Sequence, residues 1–272
     1  MHNSSKGRMA RHVDNMTNSD WVRSQYADKS KLQTRISIHE KYSTNPQSYA
    51  DWLLTQYPIH AGDNVLELGC GTGSMWKGRI ERLPCGCHMT LTDISPAMVD
   101  AAREQLADVR GVKFECADIQ NLPYPDASFD VVIANMMLHH VPNIARGLSE
   151  VRRVLRRDGR FFCSTYGENG LGRFIDDVMA DLGSHMVQQD SFTLQNGEAQ
   201  LKPFFSEVTR MDYTDELRVT DARDLADYIR SVQGVSLSKS ADDDELLNRL
   251  NARRQDGAIR VPKEYGCFIA RV

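Results

Sequence analysis

Three carboxylates and a glycine-spaced turn are the residues best placed to do chemistry. Glu67 stands two residues before Gly69, and Gly69, Gly71 and Gly73 give the spacing G-x-G-x-G, with Cys70 and Thr72 between them. Glycine has no Cβ and tolerates positive φ, so such a turn lets the main chain come close to a ligand. Asp93 ends the segment Met89-Thr90-Leu91-Thr92, twenty residues beyond Gly73. At that distance a carboxylate on the neighbouring strand tip reaches a ribose diol. Asp118 closes the run 112–117 in the same way. A dinucleotide fingerprint would place its third glycine at 74, which is Ser. Nucleotide recognition is the chemistry expected of this set, and a nicotinamide dinucleotide is disfavoured. His139 and His140 follow a later strand, and histidine accepts a proton near neutral pH.

The elements that must position these residues alternate. Short apolar runs predict strands at 64–69, 87–93, 111–117, 129–135 and 160–166. Helices are expected near 74–83, 96–108, 143–156 and 170–187. The helix starting near Ser74 is expected to turn its free N–H groups towards the glycine turn. Ser95 is a candidate N-cap with Pro96 behind it, and Ile144, Leu148, Val151 and Leu155 make an apolar stripe. Gly159 allows a turn at 156–160. Strands alternating with helices imply an α/β, doubly wound, mostly parallel sheet, whose crevice lies at the carboxyl ends of the strands.

Before this core, helical patterns run from Asp20 to Tyr57, behind a polar tail. After it, two helices are expected at 221–233 and 241–255, between strands at 208–211 and 266–272. The resulting division is a mobile tail (1–18), an N-terminal helical layer (19–58), a core (59–187), cap insertions with a sixth strand (188–265) and a last core strand (266–272).

Four ordered stretches resemble the class I S-adenosylmethionine-dependent methyltransferases: VLELGCGTG (65–73), LTDIS (91–95), CADIQNLPYPDASFDVVIANMMLHHV (116–141) and VLRRDGRFFCSTY (154–166). The resemblance implies a Rossmann-like seven-stranded sheet with an antiparallel last strand. It implies S-adenosylmethionine as cofactor, S-adenosylhomocysteine as product, and methyl transfer to an O, N or C nucleophile of a small molecule. It makes Gly69, Cys70, Gly71 and Gly73 the cofactor turn and places Glu67 at the methionyl end. Asp93 falls to the ribose with Ile94 against adenine, Asp118 to the adenine amino group with Ile119 beside it, and Asn135 and Met136 to the methionyl moiety. It favours His139 over His140 as general base. It also implies an N-terminal layer folded over cofactor and substrate. A sulfonium is a cation attracted to aromatic faces, so Tyr26, Tyr42, Trp76 and Tyr166 are candidate cavity residues. The segment after Asn135 lacks the N/D-P-P-Y/F sequence of amino-directed DNA and protein enzymes.

The chain as a whole limits the partners. Its net charge is −4, which argues against nucleic acid as the main partner. No run reaches transmembrane length and the first residues lack an apolar signal segment. Six cysteines without paired metal-ligand spacing are expected to be free thiols, with no metal, in the cytoplasm. A monomer or homodimer is expected. An RNA or protein acceptor, or cofactor binding without catalysis, are the alternatives.

Overall fold

The computed structural model describes residues 29–57, 59–182, 190–232 and 243–272. The expected tail, the first residues of the helical layer including Tyr26, the end of the helix at 170–187 and the start of that at 241–255 lie outside the described residues. Seven strands are present: β1 (Asn64–Leu68), β2 (His88–Asp93), β3 (Val112–Cys116), β4 (Phe129–Asn135), β5 (Leu155–Tyr166), β6 (Glu207–Val219) and β7 (Ile259–Arg271). They form one sheet in the order β3-β2-β1-β4-β5-β7-β6. β1 pairs in parallel with both β2 and β4, and β7 runs antiparallel to β5 and β6. The mostly parallel sheet with an antiparallel last strand is as expected.

The chain leaves β1 in one direction to reach β2 and β3 and crosses back to β4 on the other side, so the switch point lies at the tip of β1. Leu68 pairs with Thr92 and with Ala134, and Asp93 with Cys116. These registers bring the tips of β1 to β4 level. Gly69, Asp93, Asp118 and Asn135 therefore gather at one edge of the sheet, where ligands of this architecture bind.

The helices are α1 (Lys29–Tyr42), α2 (Tyr49–Gln56), α3 (Pro96–Gln105), α4 (Ile144–Val154), α5 (Leu171–Ala180), α6 (Gly197–Leu201), α7 (Ala222–Ser231) and α8 (Asp243–Ala252). α4 is capped by Asn143, whose side chain accepts from the Arg146 N–H, and it buries Leu148, Val151 and Val154. One sheet face packs Leu66, Val132, Phe161 and Phe268 under this helix, and the other packs Val65, Leu91, Val131 and Phe162 with Trp76 and Leu53. A third core is separate. Ile38 and Tyr42 of α1 meet α5, α7, α8 and the far ends of β6 and β7. Within the N-terminal layer α1 thus braces a cap while α2 packs on the sheet, and no residue of 29–57 lines the cavity described below.

Four expectations are corrected here. No α-helix spans 74–83. Gly73 has φ 73° and Gly78 φ 66°, left-handed values that a right-handed helix cannot include. The segment instead makes successive turns and one 3₁₀ turn, Ile80–Arg82. Second, the turn expected at 156–160 lies within β5. The extra residues bulge between the pairs Phe129–Leu155 and Val131–Arg160, and Arg156 ties the bulge to Asp130 at 2.6 Å. Third, the last core strand begins at Ile259 rather than at 266, and β6 runs from Glu207 to Val219 rather than ending at Met211. Pro262 lies within the longer strand. It sits where β7 pairs with β6 alone, beyond the 265–271 segment shared with β5, so its missing N–H removes no bond on that open side. Fourth, Ser95 stands at the N-cap of α3 with Pro96 behind it, as expected, but its side chain makes no capping hydrogen bond. Its main-chain N–H serves Asp93 instead.

Candidate cofactor site

The tips of β1, β2 and β4 surround a cavity of about 320 Å³, within the size range of small-molecule sites. Of the expected cofactor residues, Gly69, Cys70, Gly71, Asp93, Ile94, Asp118, Ile119, Asn135 and Met136 line it. Glu67 and Gly73 do not. Gly73 lies behind the turn, where an added Cβ would come within 3.1 Å of Leu106 and 3.3 Å of Ala102. Its role is close packing of the turn on α3.

Gly69 has φ 67°, and a Cβ there would meet the Met137 Cβ at 2.9 Å. Gly69→Ala is expected to lower stability by about 2–4 kcal/mol, from left-handed strain and overpacking together. Gly71→Ala, where a Cβ meets nothing within 4 Å, should cost only the strain. Urea unfolding of the two variants side by side checks this, and equal losses would contradict it.

Asp93 links the turn to α3. Its Oδ2 accepts from the Gly71 N–H at 3.0 Å and its Oδ1 from the Ser95 N–H at 2.9 Å. Burial raises its pKa, and the backbone donors partly offset this. A carboxylate with each oxygen pinned by one N–H still offers lone pairs on both, the arrangement a vicinal diol needs. Asp118 is held by the Gln120 N–H at 2.9 Å, and Gln120 in turn accepts from the Asn143 N–H at 3.1 Å. Ile94, Met98, Ile119 and Val141 supply apolar walls between the two acids. An aromatic base edged by a hydrogen-bond donor and joined to a diol fits this acceptor and wall set.

Glu67 is 1% exposed and lies beneath the cavity floor. It accepts from the indole N–H of Trp76 and, at 2.8 Å, from the Asn135 amide. Burial pushes its pKa up to about 7, against the opposing pull of these two donors. Glu67, expected at the methionyl end directly or through water, does not itself line the cavity, and its link to the lining is Asn135. The Asn135 oxygen accepts from the Tyr57 hydroxyl at 2.7 Å and the Ser164 hydroxyl at 3.2 Å. With three hydrogen-bonding groups fixing it, Asn135 presents one orientation at the cavity wall. Met136 follows in the left-handed region, φ 51°, its N–H donating to the Ser164 carbonyl at 3.0 Å. Strain of this kind in a non-glycine residue persists where the surroundings fix it.

The two histidines part company. They lie on a 3₁₀ turn, Leu138–His140. His139 is buried, and burial holds its pKa well below the usual histidine value. It packs 4.9 Å from the Tyr166 ring and does not line the cavity. His140 does line it, and burial followed by the charge of Arg35 lowers its pKa to about 4. The preference for His139 is thus reversed, and both imidazoles are neutral at neutral pH. The aromatic candidates also move. Trp76 is fully buried beneath the turn, and Tyr42 is buried in the cap core with its hydroxyl on Asp224. Tyr166 is half-buried against His139, outside the cavity lining.

Sequence reasoning missed Met98, Gln120, Met137 and Pro142. Each follows the end of β2, β3 or β4 by two to seven residues. Scanning the residues that follow each tip would have found them.

Residues 66–163 match a family profile described as a methyltransferase domain. Over 225 residues the chain is 25% identical to a malonyl-[acyl-carrier protein] O-methyltransferase of Serratia marcescens, covering 81% of this chain and 82% of that protein. Over 115 residues it is 41% identical to the 27-O-demethylrifamycin SV methyltransferase of Amycolatopsis mediterranei, covering 40% of this chain and 41% of that one. The crystal structure of the YcgJ protein from Bacillus subtilis shares the fold, with TM-score 0.57 and 18% identity over 82% of this chain and 97% of the other.

Proposed function

We propose, from the premise that this chain is a class I S-adenosylmethionine-dependent methyltransferase, that it methylates an O, N or C nucleophile of a small molecule in the cytoplasm and leaves S-adenosylhomocysteine. The observation that carries the assignment of its site is the pair Asp93 and Asp118. They stand at the tips of neighbouring strands and line one cavity with the glycine turn. Asp93 accepts from both ribose hydroxyls, and Asp118 accepts from the adenine amino group. Ile94, Met98 and Ile119 sandwich the base. Leu68, Gly69 and Asn135 border the methionyl end, with Glu67 fixing Asn135 from below.

The bound cofactor supplies a methyl group on a sulfonium, open to in-line displacement. The chain's own part is to hold the two reactants in line and keep water out, which alone lowers a bimolecular barrier substantially. His140 lines the cavity as a neutral imidazole, able to accept a hydrogen bond from an acceptor hydroxyl or amine. With its pKa near 4 it is a weak general base, so orientation outweighs proton removal here. Two of the relatives, the malonyl-[acyl-carrier protein] O-methyltransferase and the 27-O-demethylrifamycin SV methyltransferase, support an oxygen acceptor. No helix of the described residues is long and apolar enough to cross a membrane. The net charge of −4 supports a non-nucleic-acid acceptor, and a monomer or homodimer is proposed.

A thermal-shift titration with S-adenosylmethionine, S-adenosylhomocysteine and NAD tests this reading. A ligand at one hundred times its Kd stabilises the fold by about 2.7 kcal/mol. Both sulfur ligands should raise Tm and NAD should not. A response to NAD alone, or to none of the three, would overturn the assignment.

A further inference from the structure

A second group of polar side chains lies beside the cavity, between α1, α7, the tip of β5 and the middle of β7. Its cation is Arg35 of α1. Arg35 stands one helical turn before His39, whose ring lies 6.0 Å from that of Tyr228 on α7, and its charge lowers the pKa of His140 and opposes the rise of that of Tyr228. Its Nε is buried without a hydrogen-bond partner, and among the described residues no carboxylate forms an ion pair with it. Arg160 differs. Its Nε is also unpartnered, but its other nitrogens reach His60 and Asp63. The acids nearest to α1 are already engaged: Asp224 by Lys41 and Tyr42, and Asp215 by Lys263 and Ser43. A partly buried guanidinium with no counter-charge is costly unless a ligand completes it.

The surroundings are aromatic. His39 is one helical turn from Arg35, on the same face of α1. Its ring lies 6.0 Å from those of Tyr228 and Tyr265, and its buried Nδ1 also has no partner. Tyr166 of β5 pairs directly with Tyr265 of β7, and Tyr265 with Tyr213 of β6, so three phenol rings stand in a row on one face of the sheet. The row begins at Tyr166, 4.9 Å from His139, whose ring is 4.2 Å from that of His140. It therefore starts at the edge of the cofactor cavity. This inference rests on the function proposed above and narrows it.

We propose that this face is the methyl-acceptor site, and that Arg35 holds an anionic group of the acceptor, a carboxylate or a phosphate, while the acceptor's body lies against Tyr166, Tyr265 and His39. Arg35 presents a planar donor fork suited to either anion. The aromatic face suits a planar or apolar body.

The test uses the full chain saturated with S-adenosylhomocysteine, at constant ionic strength. Benzoate, phenyl phosphate and the neutral benzamide are titrated by thermal shift, and S-adenosylhomocysteine affinity is measured in parallel. At least one anion should bind about tenfold more tightly than benzamide, a difference typical of one charge-assisted pair. The tighter of the two anions identifies the acceptor's group. Arg35→Gln should reduce anion affinity to the benzamide level and leave S-adenosylhomocysteine affinity unchanged, and Arg35→Lys should restore it in part. Equal binding of benzamide, or anion binding undiminished in Arg35→Gln, would overturn the proposal. A large loss of S-adenosylhomocysteine affinity in Arg35→Gln would also overturn it, because Arg35 would then serve the cofactor's own carboxylate. Failure of the wild-type chain to bind S-adenosylhomocysteine shows in the same scans and counts against the cofactor assignment, separately from the anion arms.

Discussion

Asp93→Ala is expected to weaken S-adenosylhomocysteine binding by about 100- to 10,000-fold, with a much smaller effect on stability. The carboxylate makes two kinds of contact. Inward, it accepts from the N–H groups of Gly71 and Ser95 and so joins the glycine turn to the start of α3. Outward, it faces the cavity, where a ribose diol would donate to it. Each hydrogen bond to a charged group is worth about 1.5–3 kcal/mol, and each 1.4 kcal/mol is tenfold in affinity, so losing both diol contacts gives the stated range. The cost to folding is smaller because burial already disfavours the charged form, as the raised pKa shows. Asp93→Asn keeps the shape and one accepting oxygen and should fall between the two. Calorimetric titration with S-adenosylhomocysteine measures all three proteins. Unchanged affinity in Asp93→Ala would place the ribose elsewhere, and the glycine turn would lose its assigned ligand with it.

What the sequence showed of this site follows from where each constraint lies. β1, β2 and β4 are buried over most of their length and so read as apolar runs, Asp93 ends β2, and Asp118 follows the half-buried β3. Asp93 and Asp118 were legible because strand length alone carries them to the crevice. The helix expected at 74–83 had the opposite problem. Met75, Trp76 and Ile80 have helical spacing, yet Gly78 between them turns left-handed and Trp76 is buried to reach Glu67. A contact nine residues apart through a turn leaves no periodic trace. His139 and His140 are adjacent on a 3₁₀ turn, so one residue of phase decides which of them meets the cavity, and spacing cannot resolve that. The long β6–β7 hairpin was also hidden. Its polar half, from Asp212 to Val219, is specified by the partner strand and the cap core, both distant in sequence. Arg35 and His39 read as ordinary helix residues because their neighbours, Tyr228 and Tyr265, come from elements that close on α1 only in the folded cap.

Glu67→Ala should cost more stability at pH 5 than at pH 8. The side chain is 1% exposed, and its pKa is raised from the ordinary carboxylate value of 4.5 to about 7, chiefly by burial. The folded state therefore holds this proton more tightly than the unfolded chain does. The stability that protonated Glu67 contributes is present in full below pH 4.5 and is lost as the pH rises through about 7. That loss is on the order of 3 kcal/mol in the wild-type chain and absent from the variant. At pH 5 the substitution leaves the Trp76 indole N–H and the Asn135 amide buried without acceptors, at about 1–3 kcal/mol each, together with a void. At pH 8 the same defects are partly offset because the variant no longer buries a charge. Urea unfolding at both pH values gives the two differences, and subtracting one from the other removes titrations common to both proteins. Equal differences would mean that Glu67 is ionised throughout the range and that the two donors fully compensate its burial. Glu67→Gln is not a conservative control, since its amide nitrogen would face either the Trp76 or the Asn135 donor. Asn135 cannot turn to accept while its oxygen serves Tyr57 and Ser164. Both substitutions should also weaken S-adenosylhomocysteine binding, although Glu67 does not line the cavity, because the orientation of Asn135 at the methionyl end depends on it.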